Sequence, residues 1–142
     1  MSIKYRILFA RTDKLGDFML TWPALSDVRV ALPNSQIDVL VAPSVAEIAR
    51  ACPYADNVIV DGGTSVWALT KLLKGNSYDV AVAFFSSARV SIAFWSAGIA
   101  YRLAPATKLH QFLFNHRLKQ RRSHSSKPEY EYNRDLIQQL LA

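Results

Sequence analysis

Apolar and polar positions along the chain fall into two alternating kinds of stretch. Tyr5 to Arg11 is a nearly continuous apolar run, the pattern of a strand buried on both faces. Phe18 to Leu32 then repeats apolar residues at helical spacing, with Leu20, Ala24, Leu25, Val28 and Leu32 on one face. Pro23 falls inside that pattern. Either Thr21 caps a helix that begins near Trp22, or a helix starting at Asp17 bends at the proline. Pro33-Asn34 ends it.

The alternation continues with a strand over Ile37 to Ala42, a short helix over Val45 to Ala51 and a strand over Asn57 to Val60. Asp61-Gly62-Gly63-Thr64 reads as a turn with a helix N-cap, and Val66 to Leu73 as the helix it starts. Gly75-Asn76 reads as a turn into the strand Tyr78 to Phe85. A helix over Arg89 to Ala97, closed by Gly98, leads to a fifth strand, Ile99 to Leu103. Five strands separated by helices at this spacing predict an α/β fold with a doubly wound, mostly parallel sheet. The run from Val80 to Tyr101 could also be taken for a membrane span. Arg89 near its centre would cost roughly 2.5 to 3.5 kcal/mol there, and Ser86-Ser87 and Gly98 stand where separate elements should end.

Composition agrees with a globular domain: 142 residues, 51% hydrophobic and 20% charged. The single cysteine, Cys52, excludes an internal disulfide and reads as a small buried residue. The apolar run after the N-terminal charges is too short for a secretory signal, so a cytoplasmic location is expected.

Charge changes the picture more. The net charge of +6 resides in one segment, where Lys108, Arg117, Lys119, Arg121, Arg122 and Lys127 stand with no acid between Thr107 and Pro128. The three histidines are there too. Such a block suits an anionic partner, although a solvated basic loop has the same composition.

The chemistry that can be read is concentrated after the first strand. No dinucleotide fingerprint, phosphate-binding P-loop, metal-ligand pair or nucleophile elbow occurs, and no metal is expected. What stands there is Asp13 and Asp17, flanked by Lys14 and ahead of a helix. In open α/β sheets ligands bind beyond the carboxyl ends of the strands. A carboxylate at that place can take a proton from a hydroxyl and turn an alcohol into a nucleophile. The same spacing suits Asp17 as a helix N-cap and Asp13 as a solvated loop residue.

The stretch Arg11-Thr12-Asp13-Lys14-Leu15-Gly16-Asp17-Phe18-Met19-Leu20-Thr21-Trp22-Pro23-Ala24-Leu25 resembles the opening signature of the ADP-heptose:lipopolysaccharide heptosyltransferases, glycosyltransferase family nine. The resemblance continues through Pro33, Pro53 to Ile59, Tyr78 to Val82 and Pro128 to Leu136. It implies a Rossmann-like domain, the N-terminal, acceptor-side half of a GT-B enzyme. Residues 1–126 would form that domain, and residues 127–142 a helix leading toward a second domain that this sequence lacks.

It further implies Asp17 as the general base of an inverting sugar transfer. Thr12, Asp13, Lys14 and Gly16, with Arg117, Arg121 and Arg122, would bind a phosphorylated lipopolysaccharide inner-core acceptor at the cytoplasmic face of the membrane. The donor, ADP-heptose or a related nucleotide sugar, would be held by the missing domain, so the chain alone would be an inactive fragment, and no cofactor is implied. A homodimer covering the surface left by the missing half is expected as well. Two other readings remain: a stand-alone binding domain for an anionic glycolipid or nucleotide, and, ranked last, a nucleic-acid-binding module.

Overall fold

The computed structural model describes residues 5–11, 21–63, 65–84, 88–105, 116–118, 134, 137 and 140. Among the described residues six strands make one sheet: β1 (Arg6–Arg11), β2 (Gln36–Val41), β3 (Asn57–Val60), β4 (Val80–Ala83), β5 (Tyr101–Pro105) and β6 (His116–Leu118). Their order is β3-β2-β1-β4-β5-β6, and every neighbouring pair is parallel.

Side-chain alternation divides the core in two. Ile7 and Phe9 of β1, Ile37, Val39 and Val41 of β2, and Val82 of β4 face one way. Helix α1 (Trp22–Ala31) covers them with Ala24, Leu25 and Val28, and α2 (Ala46–Arg50) with Ala46 and Ala49. Leu8, Ala10, Leu40, Ala81 and Ala83 face the other way. There α3 (Val66–Asn76) contributes Leu69 and Leu73, and α4 (Ala88–Ser96) contributes Val90, Ala93 and Phe94. Burial on both faces explains why these strands read as unbroken apolar runs. Ile137, helical in backbone and fully buried, joins the first core, and Arg134 beside it donates two hydrogen bonds, at 2.8 and 3.0 Å, to the Asp27 carboxylate of α1.

Of the two alternatives at Pro23, the described α-helix starts at Trp22, with proline in its first turn. Thr21 occupies the N-cap position, but its side chain makes no cap hydrogen bond. Residues 17–20 lie outside the described residues. Three other expectations need correction. The Gly75-Asn76 turn is the last turn of α3, tied down by Asn76 Nδ2 donating to the Leu72 carbonyl. The left-handed residue that ends this helix is Ser77, at φ 54°. Its N-cap is Ser65, whose hydroxyl accepts from the Ala68 N–H. Lastly, β6 adds a sixth strand beyond the five read from the sequence. Gly98 closes α4 as expected, at φ +74° where only glycine sits without strain. Cys52 is free and buried. Among the described residues, no helix is long and apolar enough to cross a membrane, and Val80 to Tyr101 resolves into a strand, a helix and the start of another strand.

One polar group lies inside the sheet at its amino end. The buried Asp38 carboxylate of β2 accepts from Tyr78 OH at 2.6 Å, from Asn57 Nδ2 at 3.0 Å and from Gln36 Nε2. Burial, and then the hydrogen bond to Asp38 and its charge, push the Tyr78 hydroxyl well above its usual pKa. The folded protein therefore keeps this proton at a pH where the unfolded chain releases it, so stability is full below the ordinary tyrosine value of 10.0 and declines above it. Tyr78→Phe is expected to cost about 1.5–3 kcal/mol at neutral pH and to flatten the alkaline decline. Urea midpoints of both proteins between neutral and strongly alkaline pH test this, and parallel curves would remove Tyr78 from the titration.

Candidate functional site

Chain direction reverses once in the sheet. From β1 the chain moves outward to β2 and β3; it then returns across the other face to β4 and continues to β5 and β6. The switch falls between β1 and β4, where the chain leaves toward opposite faces, the place at which open α/β sheets bind their ligands. Arg11, buried, ends β1 at that point, and beside it the Phe84 N–H donates to the Ala10 carbonyl at 3.0 Å. The connection from Arg11 to Thr21 consists of residues 12–20, which carry Thr12, Asp13, Lys14, Gly16 and Asp17. These five candidates lie outside the described residues, and so do Arg121 and Arg122. Arg117 is the middle residue of β6, paired in register with Ala104 and three strands away from β1 along the same sheet.

A link that the sequence pattern does not announce spans the switch. Asp61 follows β3, with its side chain 3% exposed, and accepts from the Gly63 N–H at 3.2 Å. Gly63 has φ +73°, a conformation that this tight turn reserves for glycine. The same carboxylate pairs with the guanidinium of Arg89 in the first turn of α4. The pair therefore ties the wing that ends in β3 to the helix that follows β4. Arg89 is partly exposed, but losing it would leave the buried Asp61 carboxylate without its counter-charge. Two signals could have found it: an aspartate directly before Gly-Gly, and one arginine within an otherwise apolar helix.

The opposite edge offers less chemistry. A cavity of about 300 Å³ opens there between Tyr5, Ile7, Leu32, Val80, Tyr101 and Leu140, and none of these residues is charged at neutral pH. Among the described residues no group of three His, Cys, Asp or Glu side chains is placed to hold a metal.

A doubly wound parallel sheet in the order 3-2-1-4-5-6, with its switch point between β1 and β4, defines a Rossmann-like domain. No family model matches the chain. In sequence it is 44% identical over 140 residues to a Haemophilus influenzae (strain Rd) protein that bears a provisional glycosyltransferase name, a match covering 96% of this chain and 40% of the relative.

In fold it is similar to the glycosyl transferase family 9 protein from Veillonella parvula, at TM-score 0.82 and 19% identity, over 97% of this chain and 41% of that one. The Escherichia coli ADP-heptose lipopolysaccharide heptosyltransferase II gives TM-score 0.82 and 19% identity over 93% and 40%. The E. coli heptosyltransferase WaaC, solved with ADP, gives 0.79 and 20% over 94% and 46%. The fold is thus the Rossmann-like fold found in these GT-B glycosyltransferases. The chain spans 40–46% of the length of each of these four proteins.

Proposed function

We propose that the chain is the acceptor-side domain of an inverting glycosyltransferase of the heptosyltransferase type. The observation that carries this reading is positional: the segment with Gly16-Asp17 departs from the carboxyl end of β1 at the topological switch point. The sequence likeness to a glycosyltransferase and the fold likeness to heptosyltransferases support the same reading.

In this mechanism the Asp17 carboxylate takes the proton of an acceptor sugar hydroxyl. The hydroxyl oxygen bonds to the anomeric carbon from the side opposite the leaving group, the bond from that carbon to the diphosphate oxygen breaks, and ADP departs with the bonding electrons. Thr12, Asp13, Lys14 and Gly16 would shape the acceptor pocket. Arg117, Arg121 and Arg122 would hold phosphate groups of a lipopolysaccharide inner core presented at the cytoplasmic membrane surface. ADP-heptose would be bound by the additional length that the relatives possess.

Calorimetric titration of the purified chain at two salt concentrations tests the assignment. A phosphorylated inner-core oligosaccharide is expected to bind, more weakly at higher salt, and ADP-heptose not to bind. Saturable binding of the nucleotide sugar without the oligosaccharide would reverse the assignment of halves.

A further inference from the structure

Exposed apolar side chains are not evenly distributed over the domain. Among the described residues, Tyr5, Val30, Ile48 and Val60 are exposed singly elsewhere, whereas both exposed tryptophans, Trp67 at 70% and Trp95 at 57%, belong to α3 and α4 together with the exposed Leu72 and Ile92. These helices pack side by side on the same face of the sheet and bury Leu69, Leu73, Val90, Ala93 and Phe94 beneath them. Their inward stripes are thereby satisfied, and packing within the domain does not account for two tryptophans directed to solvent.

The charge carried by the two helices themselves has one sign. Lys71 and Lys74 lie on the exposed side of α3, and the sequence has no Asp or Glu from residue 62 to 78 or from 80 to 128. Trp67, Lys71 and Lys74 follow one another at positions i, i+4 and i+7, so ring and ammonium groups share a stripe of the helix. Lysine is depleted at protein interfaces, where its charge would have to be desolvated. Tryptophan and lysine together are the pairing of a bilayer interface: the indole sits at the level of the headgroups and the lysine stem lets the ammonium reach phosphate.

We propose that the outward face of α3 and α4, where Trp67, Leu72, Ile92 and Trp95 are exposed and Lys71 and Lys74 stand among them, is the surface by which this domain lies on an anionic lipid bilayer. Both helices begin at the carboxyl edge of the sheet, so a bilayer on this face adjoins the switch point where a lipid-anchored acceptor would be presented. The membrane role deepens the glycosyltransferase reading, but its test uses neither sugar nor nucleotide, so that each can fail alone.

The test is co-sedimentation of the full chain with vesicles of phosphatidylcholine, alone or mixed with phosphatidylglycerol, combined with tryptophan emission. Binding to the mixed vesicles and a blue shift are expected. Each lysine near an anionic surface is worth about fivefold in partitioning, so Lys71→Glu with Lys74→Glu should weaken binding by about 25-fold or more. Trp67→Ser with Trp95→Ser should abolish the blue shift while circular dichroism stays unchanged. Binding that neither double variant weakens would assign it to the basic segment between Thr107 and Pro128 and overturn the proposal. So would a dimer, seen by light scattering, that the tryptophan variant dissolves, because a second copy would then own the face.

Discussion

Replacing Asp17 with asparagine, in an enzyme assembled from this chain and a donor-binding half, is expected to lower sugar transfer by about 10²- to 10⁴-fold, the usual worth of a positioned general base. Urea stability of the chain should stay the same. The choice of asparagine decides between the two readings of Asp17, because asparagine is as good a helix N-cap as aspartate. If Asp17 serves only to cap, Asp17→Asn leaves transfer untouched. If it is the base, transfer falls although the cap survives, since an amide cannot accept the hydroxyl proton. If Asp17 caps as well, Asp17→Ala should also lose about 1 kcal/mol of stability; if it does not, Asp17→Ala and Asp17→Asn should be equally stable. ADP release measured on both variants, beside their urea midpoints, separates the roles, and full turnover by Asp17→Asn would remove this residue from the chemistry.

The parallel sheet is legible in the sequence because burial on both faces leaves a plain mark. Ile7 to Ala10 and Ala81 to Phe84 are apolar without a break, and no half-exposed strand shows that pattern. His116-Arg117-Leu118 carries no such mark: it is three residues long, stands in the basic segment, and owes its strand geometry to pairing with β5. Glycine at position 75 misleads in the other direction. In the last turn of a helix it costs only about 1 kcal/mol, which the packing of α3 overrides. The Asp61–Arg89 pair leaves a signal at each partner, but nothing in the sequence joins the two, because they are 28 residues apart and meet only when β3 and α4 are placed by the sheet. For the site, a rule of topology points to the carboxyl end of the first strand, and the strand order puts Arg11, the last residue of β1, at the switch point between β1 and β4.

Behind that switch point the rings of Phe9 and Phe84 stack, with centroids 5.6 Å apart and planes at 13°. Phe9 belongs to β1, two residues before its end, and Phe84 directly follows β4, so this contact joins the two strands that frame the switch point. Both rings are buried, 2% and 1% exposed. Truncating either one removes apolar area and leaves a cavity in a close-packed core, and Phe84→Ala or Phe9→Ala should each cost about 3–5 kcal/mol. Against a stability of about 5–15 kcal/mol for a domain, one such loss brings the protein near its threshold. Once the first ring is gone, the second has lost its partner, so the double variant should cost less than the sum of the singles, by about 0.5–1.5 kcal/mol. Urea denaturation of the four proteins measures this coupling. Strict additivity would mean that β1 and β4 are held together at the switch point by their backbone ladder and not by the stacked rings.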